Sequence, residues 1–268
     1  MRIAFLTDLH IGAEGEKPQG VDVRQNFLNA LAFLPEIKPD CIVLGGDLCY
    51  QTGERAVYQW IKTQLDPLPY PVYAIAGNHD DPVMMAEELE LAHDVWGDEL
   101  YFAFPLNGYP VVFLDTAKGY CSPGQMTWLQ EHLHAIGRNI LLFMHHPPVL
   151  AGVGHMDAHY AFQQRDEIKS IFNSLSGRIT VACGHYHVEK TILQDNLSVL
   201  ITPSLFFQMK HDPEKMVIDH YRIAIREINL SPDGVTSTVH YLMGERVKGV
   251  KERKTAKPLF RSFTHRAE

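Results

Sequence analysis

The residues in this chain that could do chemistry fall in five short polar bursts. They are Asp8-Leu9-His10, Gly45-Gly46-Asp47, Gly77-Asn78-His79-Asp80, His145-His146-Pro147-Pro148 and Gly184-His185-Tyr186-His187. Imidazole, carboxylate and amide oxygen are borderline-to-hard ligands, suited to Mn²⁺, Fe or Zn²⁺ rather than Ca²⁺. Asp8, His10, Asp47, Asn78, one of the pair His145/His146, His185 and His187 make seven donors. One ion rarely takes so many with imidazoles among them, whereas two ions sharing a bridging carboxylate use them all. Two metals ~3.5–4 Å apart clamp the attacking and leaving oxygens of a phosphoryl transfer. Two divalent cations against two aspartates leave a positive excess, which suits an anionic phosphoester. Each burst alone is weak, since Asp-x-His is usually a solvated turn and Gly-Asp a common helix cap. Their joint occurrence in order carries the argument.

Each burst follows an apolar run that reads as a strand, at residues 3–7, 41–44, 72–76, 140–144 and 179–183. Helical spacing fills residues 23–37, 54–65 and 83–94, and a further helix lies near 162–175. A capped helix opens at Ser122-Pro123-Gly124-Gln125, with Ser at the cap and Pro at the first helical position. Alternating strands and helices imply parallel strands with helical crossovers. Ligand sites in such sheets lie beyond the carboxyl ends of the strands, so the bursts converge on one edge. In extended chain, residues i and i+2 face the same side. That places Asp8 with His10, and His185 with His187, each pair able to grip one centre. Glycines before Asp47, Asn78 and His185 let the backbone turn sharply and pack close.

From residue 189 the pattern changes to antiparallel strands at 189–193, 197–201, 217–230 and 236–242, the last two joined by Ser231-Pro232-Asp233-Gly234. The expected fold is α/β: a layered core over residues 1–205 and a β-rich segment over 206–268 ending in a basic tail. Outside the bursts, Gly154-His155-Met156-Asp157-Ala158-His159 reads as a substrate-facing wall with Asp157 its candidate contact. Asp115 reads as a turn or cap, Tyr186 as a packing residue, and His211, His220 and His240 as ordinary histidines.

Composition bounds the reading. The chain has 268 residues, 46% apolar and 21% charged, which excludes disordered and fibrous classes. Its apolar runs are too short for a membrane span or a signal-peptide core, so a cytoplasmic address is expected. Cys41, Cys49, Cys121 and Cys183 are scattered; they read as free buried thiols, and a thiolate zinc site needs tighter grouping. The net charge is −8, but from Arg246 onward eight basic residues face two acidic ones, leaving −14 on the first 245 residues. An acidic body argues against a broad nucleic-acid footprint, and a basic terminus reads as a solvated segment.

Together the bursts resemble the calcineurin-like metallophosphoesterases, whose pattern is Asp-x-His, Gly-Asp, Gly-Asn-His-Asp/Glu, a later His, then Gly-His-x-His. The resemblance spans residues 8–187. Finer features resemble the class III cyclic nucleotide phosphodiesterases and bacterial glycerophosphodiesterases: His145-His146-Pro147-Pro148, Met156-Asp157, Thr202-Pro203-Ser204, and Gly15-Glu16-Lys17 with Gly20-Val21-Asp22-Val23. The resemblance implies a metallophosphoesterase β-sandwich flanked by helices, with a C-terminal cap that also serves dimers or higher homo-oligomers. It implies that Asp8, His10 and His187 hold one metal and Asn78, His145 and His185 the other. Asp47 then bridges them with a hydroxide that attacks phosphorus in line. His145 is preferred to His146 because the family's ligand directly ends the strand. His79 resembles an outer-sphere histidine that contacts phosphate or protonates the leaving oxygen, and Asp80 would orient it. Asn78, His79 and His187 would also contact substrate. The metals expected are Mn or Fe, with Zn and Co as alternatives. The substrate expected is a small phosphodiester, either a 3′,5′-cyclic nucleotide such as cyclic AMP or a glycerophosphodiester. A non-catalytic binding scaffold and a nuclease of the same family are the alternatives.

Overall fold

The computed structural model describes residues 1–91, 94–136, 139–211 and 215–244. The basic tail from Arg246 lies outside the described residues.

The first half alternates as the spacing predicts: β1 (Arg2–Leu6), α1 (Val23–Ile37), β2 (Cys41–Leu44), α2 (Arg55–Leu65), β3 (Val72–Ala74) and α3 (Pro82–Glu88). Strands β1 and β2 are continuous apolar runs because both faces of their sheet are covered. Helix α1 starts where the Asp22 carboxylate accepts the Gln25 N–H, and buries Phe27, Ala30, Leu31 and Leu34 at helical spacing. Helix α3 is shorter than its expected 83–94. It stops at Glu88, and Glu90 turns the chain out of the helix at φ 63°. There follow β4 (Val95–Trp96), β5 (Glu99–Leu100), β6 (Phe102–Leu106), β7 (Tyr109–Phe113), α4 (Pro123–Ile136), β8 (Ile140–Phe143), α5 (Gly154–His159), α6 (Arg165–Asn173) and β9 (Ile179–Cys183). The Ser122 hydroxyl caps α4 by accepting the Gln125 N–H. The C-terminal strands are β10 (Lys190–Gln194), β11 (Leu197–Ile201), β12 (Gln208–Met209), β13 (Ile218–His220), β14 (Ile223–Ser231) and β15 (Gly234–Leu242).

Two sheets result. One has the order β15-β14-β1-β2-β3 and the other β10-β11-β9-β8-β7-β6. Phe5 of the first packs on Phe143 of the second at 5.2 Å between ring centroids, and Phe113 stacks on Phe143 at 5.1 Å. Each ring is fully buried, worth ~1.5–3 kcal/mol apiece by transfer. β1, β2 and β3 run parallel, as do β7, β8, β9 and β11, so the five strands that precede the bursts (β1, β2, β3, β8 and β9) point their carboxyl ends at one edge of the sandwich.

The C-terminal segment departs from its expected form. β14 pairs antiparallel with β1 and, with β15, extends the first sheet. Without them β1 would be an exposed edge in mid-core. The single strand expected at 217–230 is broken between β13 and β14. Of the described C-terminal residues, Phe206, Phe207, Met209 and Met216 lie beside the edge where the bursts gather.

Asp115 follows β7 and turns the chain, as expected. Its carboxylate accepts the Leu100 and Ala117 N–H groups at 2.9 and 2.8 Å. Burial, with Glu99 nearby, pushes its carboxyl up to about 7. A value raised above the ordinary 3.8 means folding favours the protonated form. That stabilisation is complete below pH 3.8 and is lost as pH rises through about 7. In urea titrations across this window, wild type should gain on the order of 3 kcal/mol over Asp115→Asn as pH falls. Parallel curves for the two proteins would sink the assignment.

Candidate metal centre

The five bursts do converge. Three of them leave their strands through left-handed backbone: Asp8 (φ 55°) and His10 (47°), Asp47 (51°), and His185 (67°) and His187 (51°). Non-glycine residues occupy this region at a cost, so the kinks mark a site where the fold holds side chains in place. They also correct the extended-chain argument. Asp8 and His10 share a group, but His185 and His187 diverge into different ones.

Three groups place ligand atoms within 4.8 Å of one another: Asp8, His10 and His187; Asp47, His145 and His185; and His10, Asp47 and His79. The first two match the division implied by the resemblance. Asp47 stands between them. Its Oδ2 lies 3.2 Å from His145 Nε2 and 3.6 Å from His10 Nε2, while its Oδ1 accepts the His79 N–H at 2.9 Å. Asp8 Oδ1 lies 3.3 Å from His187 Nε2. Asn78 is exposed beside this centre and lines its cavity.

Backbone carbonyls orient the imidazoles. His145 Nδ1 donates to Gly45 O at 2.8 Å, His187 Nδ1 to Phe207 O at 3.0 Å and His185 Nε2 to Tyr160 O at 2.9 Å. In each case the other nitrogen is left for the centre, the usual arrangement around a metal. His145 Nε2, the nitrogen that faces Asp47, is buried without a hydrogen-bond partner, as suits a metal ligand. Burial, then the neighbouring His145, hold His185 down at about 4, and burial holds His10 at about 3 against the pull of Asp47. For His145, burial is outweighed by Asp47 and Asp8, which raise it to about 9. Asp8 and Asp47 stay below the ordinary carboxylate range: burial opposes this, and the facing histidines overcome it. The donor set therefore fits two divalent cations sharing Asp47.

His146 does not point into this cluster's ligand groups. It is buried, its Nδ1 is 3.0 Å from Thr116 Oγ1, and its ring packs on His185 at 4.1 Å. His79 is half-buried at the open side. Its Nδ1 donates to Gln51 O at 3.1 Å, which leaves Nε2 for substrate.

Two expected roles are corrected. Asp80 does not orient His79. Its carboxylate accepts N–H groups from Leu48, Cys49 and Gly77 and the Tyr58 hydroxyl, at 2.9–3.2 Å, bracing the loops that carry Asp47 and Asn78. Burial, with Asp47 close by, raises its carboxyl to about 6. Asp157 does not face substrate, because its oxygens accept from Ala151 N–H, Val153 N–H and Tyr186 Oη.

Beside the centre is a cavity of about 630 Å³. His10, Asp47, Asn78, His79, His185 and His187 form its floor, and Tyr50, Met156, Tyr160, Phe206, Met209 and Met216 its apolar wall. His155 also lines it, as the wall expected at 154–159 implies; Asp157 is not part of that lining. Apart from Met156, which falls in the wall expected at 154–159, these aromatic and thioether residues were missed in sequence, because they come from separate segments of the chain with no common spacing.

Residues 1–189 match the profile of the family described as Calcineurin-like phosphoesterase. A Fibrobacter succinogenes protein named "Probable cyclic nucleotide phosphodiesterase" is 34% identical over 213 residues, covering 80% of this chain and 82% of its own length. An Arcobacter nitrofigilis protein named "Probable glycerophosphodiester phosphodiesterase GpdQ" is 27% identical over 226 residues, covering 80% and 82%. A dimetal phosphatase from Danio rerio superposes with TM-score 0.67 at 14% identity, covering 92% of this chain and 96% of that one, which shows the shared fold.

Proposed function

This chain belongs to the calcineurin-like phosphoesterase family, and from that premise we propose that it is a dinuclear-metal hydrolase of small phosphodiesters, with 3′,5′-cyclic nucleotides its preferred class. The position of Asp47 Oδ2 between His10 and His145 carries the reading, since a carboxylate shared by two ligand groups is what a two-ion site requires. Asp8, His10, His187 and Asp47 would hold one ion, and Asp47, Asn78, His145 and His185 the other. Mn²⁺ or Fe ions suit the donors best, with Zn²⁺ and Co²⁺ as alternatives. When bound, such a pair polarises the phosphoryl oxygens and acidifies water.

The chain's own residues do the rest. Asn78 and His79 line the cavity that would receive a phosphodiester. His79, held through Nδ1 by Gln51 O, presents Nε2 to the ester oxygen, where it would hydrogen-bond or supply the leaving group's proton. Phe206, Tyr50 and Tyr160 wall the cavity with aromatic side chains, which suit a planar base better than a glycerol. The relatives' names include both substrate classes, so glycerophosphodiesters are the second.

Three observations weigh against the alternatives. The full donor set argues against a non-catalytic scaffold. The −14 of the first 245 residues argues against a nuclease. No helix of the described residues is long and apolar enough to cross a membrane. The test is turnover of cyclic AMP, cyclic GMP, glycerophosphoethanolamine and an aryl phosphomonoester at saturating Mn²⁺, before and after EDTA. We expect cyclic nucleotides to lead, chelation to abolish turnover and Mn²⁺ to restore it. Turnover that survives chelation would sink the dinuclear reading, and a lead for glycerophosphoethanolamine would reverse the substrate order.

A further inference from the structure

We infer that Asp157 is a positioning residue that ties the substrate wall to the ligand His185, and so sets the affinity of the ion position formed by Asp47, His145 and His185. The inference rests on the two-ion reading above.

Helix α5 has six residues and no side-chain cap, too few to be stable without anchorage. Asp157 supplies the anchorage. Its Oδ1 accepts from Ala151 N–H at 3.0 Å and from Tyr186 Oη at 2.9 Å, and its Oδ2 accepts from Val153 N–H at 3.0 Å. Tyr186 is fully buried and sits between His185 and His187 in the chain, so this carboxylate grips the ligand segment itself. A second tie lies one residue beyond the helix. Tyr160 O accepts from His185 Nε2 at 2.9 Å, which fixes the tautomer that leaves Nδ1 for an ion.

The ligand segment and α5 are thus joined at two points. The same stretch offers His155, Met156 and Tyr160 to the cavity. A substrate pressing on that wall acts on a carbonyl that orients a metal ligand. Without Asp157, two N–H groups and a buried phenol lose their acceptor, the loop over 151–160 loosens, and Tyr160 O no longer holds His185. His187 is oriented from elsewhere, through Phe207 O, so the ion position of Asp8, His10 and His187 is spared. The effect is therefore selective for one of two ions.

Equilibrium dialysis of the full chain with Mn²⁺ tests this, alongside turnover at limiting and saturating Mn²⁺. Wild type should bind two ions. Asp157→Ala should weaken one of them by ~10–100-fold, the usual cost of losing an outer-shell partner, and leave the other unchanged. Its turnover should fall at limiting Mn²⁺ and recover at saturating Mn²⁺, a rescue that general loosening of the fold would not give. Tyr186→Phe removes one of three bonds and should shift the same ion less; it decides the matter if Asp157→Ala does not fold. Two ions bound with wild-type affinity in both variants would overturn the inference alone. So would equal weakening of both ions. A wild-type chain that binds fewer than two ions overturns the two-ion reading and takes the inference with it.

Discussion

Asp47→Ala should lower kcat/KM for any phosphodiester substrate by roughly 10³-fold or more. The carboxylate faces both ligand groups, at 3.2 Å from His145 Nε2 and 3.6 Å from His10 Nε2. Its other oxygen accepts the His79 N–H, so one truncation strips a ligand from both ion positions and releases the loop that carries His79. Metal-ion catalysis supplies several kcal/mol of transition-state stabilisation, and each 1.36 kcal/mol is a factor of ten. Three or more decades follow. Because the groups act as a unit, Asp47→Ala combined with His145→Ala should be little worse than Asp47→Ala alone. Steady-state rates with metal content measured on the same samples check this. Activity within tenfold of wild type, with two ions still bound, would remove Asp47 from the shared position.

The second large effect comes from a residue with no functional group. Gly77→Ala should cost at least ~10²-fold in activity together with ~1–3 kcal/mol of stability. A Cβ at this position would fall on the Asp47 backbone nitrogen and carboxylate, well inside contact distance. Backbone cannot swing aside as a lysine tip can, so Asp47 itself must shift, and a 1 Å misplacement of such a group is expensive. Gly124→Ala is the control: its nearest neighbour, Ser122 Oγ, would be 3.8 Å away. Thermal melts and turnover of both variants decide the point. A Gly77→Ala enzyme with wild-type rates would show that the close approach of the two loops is dispensable.

The ligand blocks were legible because each is contiguous with the strand that aims it, and parallel strands must end on a common edge. Their grouping was less so. The two-residue spacing of His185 and His187 suggests one shared target, but left-handed backbone at both positions turns the rings apart. Local spacing carries no information about such kinks. The pairing of β14 with β1 was hidden for a different reason. It joins residues more than 220 apart, as in the bond from the Met1 ammonium to Leu230 O, and hydrophobic alternation says that a strand exists, not which neighbour it takes. Asp80 and Asp157 were identified as important by their place in the motifs, yet their partners are backbone N–H groups and, for each, one tyrosine hydroxyl. A side-chain pattern cannot show those.

Asp8, His10, Asp47, His185 and His187 all sit in left-handed backbone, which costs an L-residue about 1 kcal/mol each. Together this is on the order of 5 kcal/mol, comparable to the whole net stability of many domains. The same positions would be easier for glycine or asparagine. A lineage released from selection for turnover would therefore drift toward those residues and gain stability as it lost its ligands. Glycine placed at any one of the five should therefore raise the melting temperature while weakening metal binding.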